Sequence, residues 1–382
     1  MDFAYTEEQQ ELVGLVQQIL GERVKHETLT ALEAKVTGEG APRFDRDLWQ
    51  ELAKANILGI SLPEEFGGSG LGVLEQVLVL EQVGSTLAPV PVYPSIAVAA
   101  AAIAEHGTAE QKAAWLPGAV SGEKILTAAL AERLVRDAAA PRLTTAERAD
   151  GGWRLTGQKT GVPVATVADV ILVPAATPDG VGIFLVDPAA AGVTVTPQQT
   201  TAKEIAGELV LDGVLVGDDA LLGGAVDSAV AVWLRDRATL ALCALQLGVC
   251  ERAMREAAAY TTTRVQFKRP VGSFQAVGHR LADCYIDVEA IRLTTWQAAW
   301  QVGAGIDASE AVATAKFWAS EAGHRVAHAV VHVHGGMGIA EEHFVHRYFV
   351  HAKQIEFSLG GANEQALRIG AGFAARPAGE YV

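Results

Sequence analysis

The chain has 382 residues, half of them apolar, so it can bury a large core spread over two or three subdomains. Its 30 basic and 45 acidic residues give a net charge of −15, which disfavours nucleic acid or anionic lipid as partners. Cys243, Cys250 and Cys284 lack C-x-x-C spacing and predict buried free thiols, which suit a reducing cytoplasm. Met1 to Gln10 lacks the apolar region of a signal peptide, and no metal site is expected.

The first third of the chain carries helical signals. Thr6 and Gln9 have the spacing of a capping box and predict the start of an amphipathic helix, and Asp45 predicts the cap of another. The uncharged stretch Thr86–Ala104 contains three prolines, so we expect a buried helix there rather than a membrane span. Further helices are predicted at Leu71–Val83 and Gly107–Gly122.

The middle of the chain has a different pattern. Short β-forming runs separated by Gly, Pro and Asp predict a small antiparallel β domain. The runs are Trp153–Gly157, Val170–Pro174, Gly182–Val186, Val193–Pro197 and Glu208–Val216. Helical periodicity then returns and predicts a bundle of long helices. These helices are expected over Ala225–Thr263, Phe274–Val302, Ala308–Val331 and a last segment ending near Ala374.

Two segments carry groups suited to a dinucleotide. In the first, Arg264 offers a planar, permanently charged fork that matches a pyrophosphate, and Gln275 offers an amide for adenine or ribose edges. In the second, Gly335 and Gly336 would let a ligand approach the backbone closely, because neither has a Cβ. Taken residue by residue, a plainer interpretation stays open: a surface arginine, aromatic core residues and an ordinary glycine turn.

The amino-acid sequences of these two segments resemble the motifs of a known family. They read Arg264-Val-Gln-Phe-Lys-Arg-Pro-Val-Gly-Ser-Phe-Gln275 and His334-Gly-Gly-Met-Gly338. In order and separation they resemble the R-x-x-F-G-x-P-[IV]-x-x-[FH]-Q and H-G-G-x-G segments of the acyl-CoA dehydrogenase family, and the resemblance covers essentially the whole chain. It implies an α+β fold of the acyl-CoA dehydrogenase type. That fold has an N-terminal all-α domain (1–124), a middle antiparallel β domain (125–224) and a C-terminal four-helix bundle (225–382).

The resemblance also implies a cofactor and partners. FAD would be the cofactor, an acyl-CoA the substrate and electron-transfer flavoprotein the electron acceptor, in a dimer or tetramer. The FAD of one subunit would be contacted by Arg264, Gln266, Phe267, Phe274 and Gln275, while a neighbouring subunit supplies Gly335 and Gly336. His332 stands where many members carry a polar residue near the adenosine end.

The catalytic base that the resemblance implies is missing. In the family, a Glu takes the α-proton of the acyl-CoA while the β-hydride passes to flavin N5. Most members carry this Glu just before a Gly late in the chain, where this sequence has Leu359. Others carry it ten residues before the Gly that corresponds to Gly248, where this sequence has Ala238. Neither side chain can accept a proton.

Two carboxylates are weak candidates for a displaced base. Asp236 lies two residues before Ala238, which on a helix turns its side chain by about 200° from that position. Glu356 lies three residues before Leu359, so one helical turn would bring it near. For both, and for Glu364, the alternative is a solvated or salt-bridged surface carboxylate.

Residues that would face the flavin also depart from the family. Ala131–Asp137 replaces a Thr-Glu-Pro-x-x-Gly-Ser loop and Gly161–Pro163 replaces Trp-Ile-Thr, so a hydroxyl donor and a stacking ring are lost. Lys268 replaces the usual Gly after Phe267. In these losses, and in the sequence of the segment Val162–Asp169, the protein resembles the base-poor chain of heteromeric acyl-CoA dehydrogenases. That chain pairs with a base-bearing sister to act on bulky substrates such as sterol side-chain CoA esters.

Three functions are compatible with these observations. The first is a FAD-dependent acyl-CoA dehydrogenase subunit that introduces an α,β double bond together with a catalytic sister subunit. The second is a self-sufficient dehydrogenase that uses Glu356 or Asp236 as its base. The third is a flavin-free member of the fold that binds CoA thioesters or acts as a scaffold.

Overall fold

The predicted order of a helical, a β and a second helical region is confirmed. The structure is a computed structural model that describes residues 4–376. It divides into two compact units. One unit draws on residues up to His26, on Val77–Ala88 and on the chain from Leu242 onward; the other draws on Glu27–Gln76 and Pro89–Ala241. The domain boundaries at residues 124 and 224 stay a prediction.

Most of the N-terminal helices begin at or close to the positions that the sequence signals predict. They are α1 (Glu7–Arg23), α2 (His26–Glu39), α3 (Arg46–Lys54), α4 (Val73–Thr86), α5 (Ala101–His106) and α6 (Ala109–Val120). Thr6 and Gln9 form both bonds of a capping box, with N···O distances of 3.1 and 3.2 Å. Asp45 Oδ1 accepts a hydrogen bond of 2.9 Å from the Leu48 N–H at the start of α3. The sequence does not signal α2, because Lys25 before it is no N-cap residue.

The uncharged stretch is helical and buried, as expected. A π-helical segment, Val92–Ala100, runs directly into α5, and from Pro94 onward all its residues are buried. Ser95 Oγ accepts a hydrogen bond of 3.0 Å from the Leu126 N–H, so this buried hydroxyl is satisfied. Within residues 4–376, no helix combines the length and the apolar character that a membrane crossing requires.

The middle of the chain forms one seven-stranded sheet. Its strands are β1 (Leu126–Ala128), β2 (Thr145–Ala149), β3 (Gly152–Pro163), β4 (Val170–Thr177), β5 (Gly180–Val186), β6 (Val193–Gln198) and β7 (Ala206–Gly217). All five predicted runs lie within β3 to β7. The sequence does not predict β1 and β2, because β1 has only three residues and β2 has few β-forming side chains.

The sheet is mainly antiparallel, with one correction to the expectation. Its order is β1, β4, β2, β3, β7, β6, and β5 also pairs with β4. Both β1 and β2 lie parallel to β4: Leu126 pairs with Val170, and Thr145 pairs with Ala176. Parallel neighbours need a long connection, and the β2–β3 hairpin with its loops supplies one between β1 and β4.

The sheet has its own core and a local distortion in β3. Trp153 and Phe184 pack edge to face with ring centroids 5.4 Å apart, among other buried residues of the sheet. The pairing of β3 with β7 shifts register between Lys159 and Val162, where Gly161 has a φ of 59°. Such bulges bend a strand and redirect its side chains. The distortion falls on Gly161–Pro163, the segment that replaces the family's Trp-Ile-Thr.

The C-terminal region is helical, as predicted, with three long helices and two short ones in the described chain rather than four. They are α7 (Ser228–Thr263), α8 (Gln275–Gly303), α9 (Ser309–His334), α10 (Val345–Phe357) and α11 (Ala362–Ala375). The last two are separate because Leu359 and Gly360 have φ values of 54° and 91°, which no α-helix continues. Gln246 on α7 donates to the carbonyls of Ala319 on α9 and Ala352 on α10, at 3.1 and 3.3 Å.

The cysteines are free and buried, as predicted. Burial raises the pKa of Cys243 to about 12 and that of Cys284 to about 11. At neutral pH both are therefore protonated thiols with little reactivity, and they behave as small apolar core residues.

Helices α4 and α7 cross at a pair of glycines. A Cβ on Gly84 would lie 2.2 Å from the Leu245 carbonyl oxygen, and a Cβ on Gly248 would lie 1.9 Å from the Glu81 carbonyl oxygen. Backbone meets backbone at this crossing, which is possible only because both positions lack a side chain.

Replacing Gly248 with Ala is expected to lower the free energy of unfolding by about 2 kcal/mol, because the methyl group must push the two helices apart. Gly14→Ala in the interior of α1 is the matched control. No atom lies within 4 Å of its added Cβ, so it should stabilise by about 1 kcal/mol through helix propensity alone. Urea unfolding measures both changes, and equal stabilisation by the two substitutions would contradict the close crossing.

Candidate functional site

The first dinucleotide segment forms a short hairpin between α7 and α8. Strand β8 (Val265–Gln266) pairs with β9 (Arg269–Pro270), and the Val271 N–H donates a hydrogen bond of 2.8 Å to the Arg264 carbonyl. The hairpin fixes the backbone of Arg264 at one end, and α8 begins at Gln275 at the other. The side chains of Arg264, Gln266 and Gln275 are exposed, so no part of the described chain covers them.

The hairpin turn carries aromatic surface and backbone strain. Phe267 is 86 % exposed and packs edge to face with Phe274, with centroids 6.1 Å apart. Arg269 lies over the Phe274 ring at 4.0 Å. Phe267 and Lys268 have φ values of 51° and 68°, a left-handed pair for which Asn and Gly are the usual residues. Lys268 therefore stands where Gly would be relaxed, at a cost of about 1 kcal/mol.

The second segment follows directly after the C-terminal end of α9. Gly335 has φ 63° and ψ −144°, a backbone conformation open to glycine alone, and neither Gly335 nor Gly336 has an atom within 4 Å of an added Cβ. The preceding His334 is buried and stacks on Tyr260 with centroids 4.3 Å apart. Tyr260 lies one helical turn before Arg264, so the structure brings the glycine turn near the base of the hairpin. His332 is exposed on the last turn of α9.

These groups fit the adenosine and pyrophosphate parts of FAD. A free guanidinium, an exposed aromatic ring and an open glycine turn are the groups that a dinucleotide would cover. The expectation of FAD contacts at Arg264, Gln266, Phe267, Phe274, Gln275, His332, Gly335 and Gly336 stays a prediction.

The backbone at the first base position is firmly held, although its side chain is an alkyl group. Gln365 Nε2 donates to the carbonyls of Leu359 and Gly360, at 3.0 and 3.3 Å. Arg368 in turn donates to Gln365 Oε1 at 2.9 Å. The loop is therefore ordered by its own contacts and needs no carboxylate at Leu359 to keep its shape.

A buried lysine holds the end of the helix before that loop. Lys316 Nζ donates to Ser320 Oγ at 2.9 Å and to the carbonyls of Ile355 and Glu356 at 2.8 and 3.1 Å. Burial lowers the pKa of Lys316 to about 8, so it remains largely protonated at neutral pH. It adds a charged donor to carbonyls in the last turn of α10, where the regular helical N–H partners end.

Glu356, the first displaced candidate, is engaged by two side chains. Its Oε2 lies 2.6 Å from Lys353 Nζ, and its Oε1 lies 3.2 Å from His324 Nδ1. Its side chain is only 12 % exposed. The carboxylate is therefore held by Lys353 on its own helix α10 and by His324 on α9.

The second base position lies in the core. Ala238 is fully buried on α7. Asp236 accepts a hydrogen bond of 2.8 Å from Arg235 Nε, and Arg235 also pairs with Asp137 at 3.0 Å. Asp236 is the only carboxylate within two residues of Ala238 on this helix. Like Glu356, it is paired with a basic side chain, here that of Arg235.

The two segments that depart from the family pattern, Ala131–Asp137 and Gly161–Pro163, lie next to each other in the structure. The Thr160 N–H donates to the Ala131 carbonyl at 3.0 Å, so the loop after β1 lies against the bulge in β3. Gln198 on β6 accepts from the Gly161 N–H at 2.8 Å and donates to Thr160 Oγ1 at 3.1 Å. Backbone and amide groups thus line a place where the family carries a hydroxyl and an indole.

A buried ion pair fixes this loop, and sequence reasoning missed it. Glu132 lies 2.8 Å from Lys159 Nζ, with side chains 1 % and 0 % exposed. Its oxygens also accept the backbone N–H groups of Arg142, Leu143 and Thr144. Burial would raise the pKa of Glu132, but the bonds from Lys159 and the backbone outweigh it and lower that pKa to about 2. The Glu of the family's Thr-Glu-Pro loop was the available signal, since Glu132 keeps it.

Comparison with known families covers nearly the whole chain. The N-terminal domain of the acyl-CoA dehydrogenases matches residues 6–123, the middle domain matches residues 128–214 and the C-terminal domain matches residues 229–374.

Individual relatives are similar along their full length. Acyl-CoA dehydrogenase FadE27 of Mycobacterium tuberculosis is 47 % identical over 386 residues, which cover 99 % of this chain and 100 % of the relative. A chain in the crystal structure of the ChsE4-ChsE5 complex from Mycobacterium tuberculosis is 48 % identical, with a TM-score of 0.93 and coverage of 99 % and 100 %. A chain of a Tcur3481-Tcur3483 steroid ACAD variant is 45 % identical, with a TM-score of 0.90 and coverage of 96 % and 98 %.

Proposed function

The chain belongs to the acyl-CoA dehydrogenase family of oxidoreductases, and from this we propose that it is the subunit of a heteromeric enzyme whose sister supplies the catalytic base. The observation that carries the proposal is the state of both base positions. Leu359 and Ala238 cannot take a proton, and the nearby Glu356 and Asp236 are held in ion pairs. The reaction is the α,β-desaturation of an acyl-CoA thioester.

The kinship of two solved relatives supports a partner subunit. Chains similar to this one along their whole length occur in the ChsE4-ChsE5 complex and in the Tcur3481-Tcur3483 steroid ACAD. We therefore propose a related sister chain as partner, in a dimer or tetramer, and a bulky acyl-CoA with a steroid-like acyl group as substrate. A cytoplasmic location, suited to the free thiols, is proposed with it.

FAD is the proposed cofactor, as in other members of the family. Arg264 would pair with its pyrophosphate, Gln275 would contact the adenosine part and Phe267 would be covered by it. Gly335 and Gly336 would accept close backbone approach, and His332 would lie near the adenosine end. When bound, FAD supplies the acceptor for the hydride that leaves the acyl chain. Electron-transfer flavoprotein is the proposed acceptor of the electrons.

The assignment of the base to the sister chain can be tested by co-expression. Together with a base-bearing homologue, the chain should form an assembly that desaturates an acyl-CoA, whereas the chain alone should show no turnover. An active, fully flavinated homo-oligomer of this chain would refute the need for a sister.

Glu356→Gln is expected to leave kcat and its pH profile in that assembly unchanged within about twofold, because Lys353 and His324 already hold the carboxylate. Loss of a true general base would instead cost about 100-fold or more. Asp236→Asn is the matched control at the other candidate. A large fall in kcat for either variant, with a changed acid limb, would show that this chain carries its own displaced base.

A second function is favoured by one observation, the loss of the hydroxyl and the ring at the flavin side. We propose as the alternative a flavin-free member that binds CoA thioesters or acts as a scaffold. An absorbance spectrum of the purified assembly separates the two candidates. Bands near roughly 375 and 450 nm, typical of an oxidised isoalloxazine, would exclude the flavin-free alternative.

A further inference from the structure

The buried Arg237 has an amide partner but forms no salt bridge in the described part of the chain. Arg237 on α7 is 7 % exposed, and its Nη2 donates to Gln76 Oε1 at 2.7 Å. No Asp or Glu among residues 4–376 forms a salt bridge with it, whereas Arg43 pairs with Glu204 and Arg292 pairs with several glutamates. The amide accounts for one of its five N–H donors.

The charge on Arg237 is retained at neutral pH. Burial lowers the pKa of the guanidinium to about 10, and the exposed Glu105 opposes that shift from a distance. A buried cation without a counter-ion is strongly unfavourable, because its hydration is lost and no opposite charge replaces it. The fold keeps this charge although an apolar residue of similar size would cost less, and that points to a binding role.

The surroundings of Arg237 are aromatic and polar. The guanidinium lies 5.9 Å from the ring centroid of Trp233, one helical turn earlier on α7, and Trp233 is partly exposed. The His106 ring meets the same indole edge to face at 4.8 Å. Buried His106 Nε2 has no hydrogen-bond partner among the described residues, and burial lowers the pKa of this imidazole, which keeps it neutral. Gln76 is anchored by its bond to Ser61 Oγ at 2.7 Å.

We propose that Arg237 and Gln76 form a binding subsite for the carboxylate of a monoanionic ligand whose apolar part lies on Trp233. A planar guanidinium edge with two donors matches a carboxylate. A phosphate dianion would bring a second charge that the single cation leaves uncompensated. The subsite consists of this chain's own residues. The carboxylate belongs either to a free carboxylic acid or to the acyl part of a CoA ester.

Titration of the purified full-length chain with sodium hexanoate tests the subsite. At constant ionic strength set with sodium chloride, saturation should raise the melting temperature by about 3 °C. Arg237→Gln should weaken the hexanoate Kd by at least about tenfold, because the charged donor pair is lost. Arg148→Gln is the control. Its arginine is 65 % exposed and paired with Asp218, so the Kd should not change.

A second variant keeps the test decisive if Arg237→Gln does not fold. Gln76→Glu places a carboxylate beside the guanidinium at the position of the present 2.7 Å contact, so it should preserve the fold and abolish hexanoate binding. Comparing the Kd of glutaryl-CoA with that of pentanoyl-CoA distinguishes a carboxylate on the acyl part of a CoA ester from a free carboxylic acid. Preference for glutaryl-CoA that Gln76→Glu removes assigns the subsite to a substrate, and binding of hexanoate alone assigns it to a free acid. No shift with hexanoate or with glutaryl-CoA, or equal affinity in Gln76→Glu, would overturn the proposal.

Discussion

Glu132→Gln is expected to lower the free energy of unfolding by about 4 kcal/mol at pH 7, because it leaves the ammonium group of Lys159 buried without its counter-ion. The same change weakens the acceptor for three backbone N–H groups, of Arg142, Leu143 and Thr144. Glu147→Gln on exposed β2 is the control and should change stability by less than about 0.5 kcal/mol. Urea unfolding measures both.

The ion pair also fixes the sign of a pH effect. The folded pKa of Glu132, about 2, lies below the ordinary value of 4.5, so its contribution to stability is present above pH 4.5 and is lost as the pH falls toward 2. The wild type should therefore lose about 3 kcal/mol over this range that Glu132→Gln does not. Parallel acid profiles for the two proteins would show that Glu132 does not carry this charge when folded.

The second large effect has the opposite sign and comes from Glu81. This side chain on α4 is buried and shares Arg292 with Glu251; its Oε2 has no hydrogen-bond partner among the described residues. Burial raises the pKa of Glu81 to about 7, with Arg292 lowering it and Glu251 raising it. Because the folded pKa is above 4.5, the stabilisation is full below pH 4.5 and is lost as the pH rises through 7.

Between pH 4.5 and pH 8 the wild type should therefore lose about 3 kcal/mol of stability. Glu81→Gln should not show this loss and should be more stable than the wild type at pH 8. Urea unfolding at half-unit steps of pH gives the profile. Glu289→Gln, at a more exposed partner of the same Arg292, is the control and should keep the wild-type slope. A wild-type profile that is flat across this window, or that rises, would contradict the buried and protonated state of Glu81.

Local signals in the sequence predict local structure well in this chain. The capping bonds of Thr6 and Asp45, the start of α8 at Gln275 and the five longer strands all follow from short-range patterns. The short strands β1 and β2 do not, because they are stabilised by pairing, of β1 with β4 and of β2 mainly with β3, rather than by their own propensity.

Contacts between distant residues explain what the sequence leaves open. Glu132 and Lys159 are 27 residues apart in sequence, and Gln76 and Arg237 are 161 residues apart. No helical or strand periodicity in the sequence predicts contacts over such separations. The lack of a carboxylate at the two family base positions was readable, because it depends only on residue identity at Leu359 and Ala238. The contact between Glu356 and His324 was not, because it depends on how α9 and α10 pack.

Anaerobic reduction of the flavin by substrate tests the central claim most directly. The purified chain is mixed with an acyl-CoA, without and then with its sister subunit, and absorbance near roughly 450 nm is followed through a single turnover. If the sister supplies the base, as proposed, the band should stay unchanged for the chain alone and bleach when the sister is present. Bleaching by the chain alone would contradict a base-free subunit.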